Sequence, residues 1–379
     1  MAKSPPQSFD CLVLGEHPAS FLAAALLREQ GDLRVLHAAL GGLSAPDRLV
    51  MVNPAFFELH PLLAKLRRKL EMTAVYGLTY LADDAATRAE YRNKAAVASV
   101  GSYRQIRSEM AAAAEQCGVE FNNAKEIVIH RLDEKGVDLK LGKSEIHVRV
   151  ILVGGGLTDE LNKALGFQQA AAKDAVHRYT FARLSRQCVA DLGPRPATPI
   201  CLQLGDPACW AWLFLHGAWG QLCVNQPLES ARNRPPEILL ARWVSILRKQ
   251  GILPAGRELP CEALQGMDLS LAGALEHEGV GNRTLLIGPA GGFYSASTED
   301  IYPNCWSAIY AAQAIQHALK ERHLQDALNV FRSSWRTTLG DYLRGPSVNL
   351  RYLLPLIYRN PVMTERISES ILMGKGVVR

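Results

Sequence analysis

No stretch of this 379-residue chain holds the roughly 20 consecutive apolar residues that a membrane-spanning helix needs. Its eight cysteines stand singly, with no CxxC pair and no metal-ligand spacing, so they read as reduced thiols of a packed interior, and no metal is expected. The opening MAKSPPQ runs straight into the strand-like Phe9-Asp10-Cys11-Leu12-Val13-Leu14, without the apolar core or small-residue cleavage site of a signal peptide. The expectation is therefore a cytoplasmic protein. Internal repeats and low-complexity segments are absent too, and 48% hydrophobic with 21% charged residues is the composition of a globular chain of two or three folding units.

Charge is unevenly placed. From Lys320 to Arg379 there are ten Lys or Arg against five Asp or Glu, an excess equal to the net charge of the whole chain, +5. A second basic run is Lys65-Leu66-Arg67-Arg68-Lys69. A solvated face is the ordinary reading of such runs. The sharper one is contact with an anionic partner such as a lipid membrane or a diphosphate. No recognition motif and no interleaving of aromatic with basic residues accompanies the charge, so nucleic acid is not expected.

Phe9 to Gly15 reads as a strand, Ser20 to Glu29 as a helix apolar on most sides, and Leu33 to Leu40 as a second strand, the opening of a βαβ unit. A helix of that kind packs against a parallel sheet. Pro61 to Leu70 reads as helix with proline at its first position, Ala74 to Ala82 and Ala95 to Val100 as strands, and Ser102 to Cys117 as a helix ended by Gly118. Val119-Glu120-Phe121 returns to strand, then Ile127 to His130, Val137 to Leu141 and Ile146 to Val153 follow, the last running into Gly154-Gly155-Gly156. From about Ala175 to Met267 strands rich in aromatics take over, and in Trp210-Ala211-Trp212-Leu213-Phe214 the aromatics share one face. Helices are expected over Pro236 to Gln250 and Tyr302 to Glu321, and Leu324 to Arg379 is helical and basic. This order fits an α/β chain, α+β overall, in which a Rossmann-like domain (1–72, 101–174 and 268–323) is interrupted by an antiparallel-sheet substrate domain (73–100 and 175–267) and followed by a helical segment (324–379).

Two glycine turns carry the chemistry. The first, Gly15-Glu16-His17-Pro18-Ala19-Ser20, stands where a G-x-G-x-x-G turn would use its glycines for a tight bend, for close approach of a pyrophosphate and for helix–strand contact. Only the first glycine is present; His17 and Ser20 replace the others, and His37 stands where an acidic residue would meet a ribose hydroxyl. An ordinary βα turn accounts for these residues equally well. The second turn lies in Leu285 to Ser307, LLIGPAGGFYSASTEDIYPNCWS, a buried strand, a glycine-rich bend and a helix start. Glu299 and Asp300 fall at that start, where the helix dipole favours carboxylates. The phosphate-loop look of GVDLKLGKS fails on spacing, there is no G-x-S-x-G elbow, and no side chain stands out as a general acid or base.

Taken in order, these motifs resemble the FAD-dependent geranylgeranyl reductase group of the para-hydroxybenzoate hydroxylase-like flavoproteins. GEHPAS is similar to that group's G-x-G-P-A-G; Tyr103-Arg104 through Gly118-Val119-Glu120 looks like its arginine-led helix; Gly154-Gly155-Gly156 stands at its G-A-D-G; Trp210 to Phe214 resembles Y-x-W-x-F-P; and Gly288-Pro289-Ala290-Gly291-Gly292-Phe293 looks like G-D-A-A-G-F. Ser307 to Ile315 is similar to its following helix, and the basic tail with Tyr358-Arg359-Asn360-Pro361 to its tail. The resemblance implies an FAD-dependent oxidoreductase acting on an apolar, isoprenoid or aromatic, small molecule, with an electron donor it does not name. It implies cofactor contacts from Gly15, His17, Pro18, Ala19, Ser20 and His37, from Arg104 near the pyrophosphate, from the Ile127 backbone near adenine, and from Gly288, Pro289, Gly291, Gly292 and Phe293 around the ribityl chain and ring. Trp210, Trp212 and Phe214 would line the substrate side. The departures, His37, Gly155 and Pro289 for three acidic residues, all fall at the cofactor. They leave open a non-catalytic relative that has lost FAD and binds a lipid-like ligand or a partner protein.

Overall fold

The computed structural model describes residues 6–39, 47–124, 126–155, 158–167, 176–206, 208–256, 265–270, 279–294, 301–344 and 350–374. Its elements run β1 (Gln7–Leu14), α1 (Pro18–Gly31), β2 (Val35–Ala38), β3 (Leu49–Val52), α2 (Pro61–Leu66), β4 (Thr73–Val75), β5 (Gly77–Leu81), β6 (Arg88–Arg92), β7 (Ala98–Ser102) and α3 (Tyr103–Gln116). Then come β8 (Glu120–Asn122), β9 (Ile127–Asp133), β10 (Gly136–Leu141), β11 (Ser144–Val153), α4 (Asp159–Ala164), β12 (Val176–Ser185), β13 (Ala197–Cys201), β14 (Trp210–His216), β15 (Trp219–Pro227), α5 (Leu228–Asn233) and α6 (Pro236–Lys249). The chain continues through β16 (Gln265–Ser270), β17 (Val280–Gly281), β18 (Thr284–Leu286), α7 (Ile301–Ala318), α8 (Leu324–Leu328), α9 (Val330–Arg344), α10 (Leu350–Ile357) and α11 (Pro361–Met373).

The first sheet has a parallel centre, β8-β2-β1-β11-β18, extended by antiparallel β10 and β9 on β11 and by β17 on β18. Cys11, Val13, Val35, Val150 and Leu152 bury one face of it under α1, α3 and α7, while Leu12, Leu14, Leu36, Ile151 and Val153 bury the other with β9, β10 and α4. A parallel sheet covered on both faces needs continuously apolar strands, which is why Cys11-Leu12-Val13-Leu14 is fully buried. The helix α1 begins two residues before the expected Ser20, because His17 caps it and Pro18 occupies its first turn.

The second sheet runs β16-β12-β15-β14-β13-β5-β6. It is antiparallel except where β13 lies parallel to β5, and through β16 it extends to Ser270. A third, three-stranded sheet, β3-β7-β4, sits beside it. The stretch Ala74 to Ala82, expected as one strand, is thus two strands in different sheets. Gly77 opens the second of them, and any β-carbon there would collide with the Tyr91 carbonyl of the neighbouring β6. The helical character expected of the tail holds in α8 to α11, and the tail packs onto the body. Phe331, Trp335 and Leu339 of α9 join the cluster around α7, and Leu354, Ile357, Ile367 and Ile371 of α10 and α11 join the aromatic face of the second sheet. No helix among the described residues is long and apolar enough to cross a membrane.

Candidate cofactor groove

Ligands of open parallel sheets sit beyond the carboxyl ends of the strands. Here β1 leads into Gly15, whose φ of 102° suits glycine. A β-carbon on it would lie 2.6 Å from the backbone N and O of Gly155, so this glycine serves the approach of two chain segments. Ser20 plays the complementary part: its Oγ reaches the Leu14 carbonyl at 3.4 Å and fills the room that Gly154 leaves. At the start of α1, Pro18 has no N–H to offer. The N–H of Ala19 donates to Nδ1 of His17 at 3.1 Å, and that of Ser20 to the His17 carbonyl at 2.9 Å. A helix N-terminus attracts anions through such free donors. Here the protein already uses those of Ala19 and Ser20. His17 is buried, and burial first, then the charge of Arg48, holds its pKa well below the ordinary histidine range, so it stays neutral and able to accept. Its ring lies 5.8 Å from that of Tyr103, over which the Arg48 guanidinium stacks at 3.6 Å.

β2 pairs with β1 so that His37 stands opposite Val13. Its Nε2–H donates to the Gly15 carbonyl at 2.9 Å, and its ring packs on Phe21 at 4.6 Å and Phe121 at 5.1 Å. Desolvation lowers its pKa to about 4, opposed by the bond to Gly15 and helped by the charge of Arg107. A neutral, stacked imidazole therefore stands where a ribose-binding carboxylate would be. Beside it Glu16 pairs with Arg107 at 2.5 Å, placing a carboxylate on the turn itself. These residues do not fit the adenosine and pyrophosphate half of FAD, since two of the first-turn donors are taken, the acid is missing and the arginine at the turn is engaged by Glu16.

The second turn meets the first. Gly288, with φ of 55°, starts a short 3-10 turn ending at Gly291, and a β-carbon on Gly288 would lie 3.1 Å from the Gly154 carbonyl and 3.5 Å from Nδ1 of His17. Its N–H donates to Ser307 Oγ at 3.1 Å, and that of Phe293 donates to the Gly288 carbonyl at 3.1 Å. Pro289 is half-buried, and Gly292 closes the bend at φ 69°. Gly291 is tight for another reason: a β-carbon there would stand 2.6 Å from the Leu286 carbonyl and from the Phe293 ring. Phe293 is buried edge-on against Phe331 and Trp335. Tyr294, next in the chain, belongs to the aromatic cluster of the second sheet. Glu299, Asp300 and Gly156 lie outside the described residues.

The remaining expected residues sit elsewhere. Arg104 keeps an exposed side chain, its backbone N–H bonded to Asp47 Oδ1 at 3.1 Å. Arg107, three residues on along α3, is the arginine that reaches the turn; the sequence pointed to Arg104 instead, and only the spacing of one helical turn could have brought Arg107 into view. Ile127 opens β9 opposite Leu141 and packs with Leu36 and Ala38, on the sheet face away from α1. Arg48, Phe21 and Phe121 carried no motif and emerge only in space, and Glu16, though part of GEHPAS, had no expected role.

Trp210, Trp212 and Phe214 are buried on one face of β14 with Tyr179, Phe181 and Cys223, whereas Ala211 and Leu213 face α6. The Trp212 and Phe214 rings stack at 5.5 Å. Residues of α10 and α11 cover this face, and Tyr80 Oη shares a buried hydrogen bond of 2.7 Å with Ser368 Oγ. The Gln221 amide ties the sheet to β3, accepting from Leu49 N at 2.7 Å while its Nε2 donates to the Leu49 carbonyl at 3.1 Å and to Tyr179 Oη at 3.2 Å.

No protein-family model and no curated protein matches the chain. Solved structures do. A geranylgeranyl bacteriochlorophyll reductase-like protein of Thermoplasma acidophilum superposes with a TM-score of 0.76 at 15% identity, over 98% of this chain and 96% of its own. The flavin-dependent brominase Bmp2 gives 0.70 at 16% identity, over 97% and 93%. PqsL of Pseudomonas aeruginosa, solved with 2-aminobenzoylacetate, gives 0.65 at 18% identity, over 91% and 97%. The chain thus has the overall fold of those proteins, a parallel sheet, a second sheet and a helical tail arranged along nearly its whole length as theirs are.

Proposed function

We propose that the chain is a flavin-dependent oxidoreductase acting on an apolar small molecule. The observation that carries this reading is the meeting of the Gly15 and Gly288 turns at the carboxyl ends of the parallel strands, with Tyr294 leading from the second turn into the Trp210, Trp212 and Phe214 face. The presence of two large sheets supports a division into a Rossmann-like domain and a substrate domain. A bound flavin supplies the redox chemistry, and the protein's part is to orient it and keep water away. The Gly288 turn has a permissive backbone for the ribityl chain and ring, whereas the residues of the ADP half do not fit. The described cysteines are free thiols, which agrees with a reducing, cytoplasmic setting.

A second reading, a cofactor-free relative that binds a lipid-like ligand or a partner protein, is favoured by the paired amides of Ala19, Ser20 and Gly288. Flavin titration of the purified protein, followed by fluorescence quenching, separates the two. Saturable uptake of any flavin supports the oxidoreductase. Its absence into the high micromolar range leaves the cofactor-free relative.

A further inference from the structure

The two glycine turns differ in how far the chain's own side chains occupy them. At the ADP end, the donors that a pyrophosphate would use are bonded within the chain, and the ribose position is filled by an imidazole held between Phe21 and Phe121. The Arg107 guanidinium that could meet a phosphate beside this turn is already taken by the Glu16 carboxylate. At the other end Gly288 and Gly292 keep positive φ with no side chain, and Pro289 and Ala290 stay partly exposed.

We propose that His17 and His37 form a built-in plug of the ADP subsite, so that the protein takes a flavin without its adenylate, riboflavin or its 5′-phosphate, in preference to FAD. This rests on the flavoprotein reading above. The two rings act by occupancy and by competition: His17 holds the Ala19 N–H that a phosphate oxygen would take, and His37 holds the Gly15 carbonyl and the apolar slot beside α1. FAD enters only by displacing both rings, whereas an adenylate-free flavin at the Gly288 turn leaves His37 in place and meets only the edge of His17, whose Nδ1 lies 3.5 Å from the β-carbon position of Gly288. The riboflavin and 5′-phosphate arms then report whether a single phosphate is tolerated beside Glu16.

The test is equilibrium titration of the full chain with riboflavin, riboflavin 5′-phosphate and FAD, in wild type and in His17→Gly. Glycine is a tolerated helix N-cap, and circular dichroism verifies the fold. The expected result is that wild type binds at least one adenylate-free flavin about tenfold or more tightly than FAD, the worth of roughly one buried polar contact. His17→Gly should narrow that gap by strengthening FAD alone. His37→Ser gives an independent variant with the same expectation. FAD binding as tightly as the smaller flavins to wild type overturns the plug and leaves the flavoprotein reading intact. Binding of no flavin to wild type or either variant overturns both.

Discussion

The Nε2–H of His37 donates to the Gly15 carbonyl at 2.9 Å, fastening the end of β2 to the first glycine turn with a ring that stays neutral near physiological pH. Because its folded pKa, about 4, lies below the ordinary histidine value of 6.5, the unfolded chain binds more protons between those values. Stability from this group is complete above about pH 6.5 and is lost as pH falls toward 4. From pH 7 to pH 5 the wild type should lose about 2 kcal/mol on this account. His37→Asn, which keeps an N–H for Gly15 but cannot titrate, should show a correspondingly flatter dependence in urea unfolding. Parallel curves for the two proteins would refute the assignment.

Gly15→Ala should destabilise by about 2–4 kcal/mol, adding the strain of an alanine at positive φ to overpacking against Gly155. Gly155→Ala serves as the control. Its added carbon meets nothing within 4 Å, so its loss should be far smaller in the same denaturant series.

Trp212 is fully buried and stacked on Phe214, and its carbonyl accepts the Trp243 Nε1–H at 3.0 Å. Trp212→Ala should therefore cost about 3–5 kcal/mol in unfolding free energy. Leu356→Ser, at an exposed position of α10, should stay within about 0.5 kcal/mol. A small loss at Trp212 would mean that its face opens to solvent or ligand.

Tyr80→Phe removes one partner of the buried Ser368 hydroxyl, which keeps its bond to the Thr364 carbonyl at 2.7 Å. The expected loss is about 1 kcal/mol, with faster proteolysis of the C-terminal helices as the tail loosens from the second sheet. An unchanged cleavage rate would show that the apolar contacts of α11 hold the tail by themselves.

Exposed Leu356 and Val362 flank exposed Arg359 at the turn joining α10 to α11. If this turn meets an anionic membrane, binding to phosphatidylserine vesicles should weaken with salt, and Arg359→Ala should lower it about fivefold, near 1 kcal/mol for one basic group. Equal binding by both proteins removes the membrane contact.

The first βαβ unit was legible because its signals are local: an unbroken apolar strand, a helix apolar all round and a glycine at the bend. The loss of the second glycine and of the acidic residue was equally visible. What replaced them was not. His37 reaches Gly15 across 22 positions because β2 pairs beside β1, and Arg107 rather than Arg104 faces the turn because of how α3 rotates on the sheet.

By itself, then, the sequence determined the alternation of strands and helices, the two glycine turns and the shared face of Trp210, Trp212 and Phe214, since periodicity and φ preference belong to neighbouring residues. Partners belong to distant ones. Only the tertiary structure decided that Thr73–Val75 and Gly77–Leu81 join different sheets, that α10 and α11 cover the aromatic face, and that the imidazoles of His17 and His37 bond to Ala19 and Gly15 at the first turn. Each of those outcomes depends on which surfaces remain to be buried once the parallel sheet has formed, a quantity that no local pattern carries.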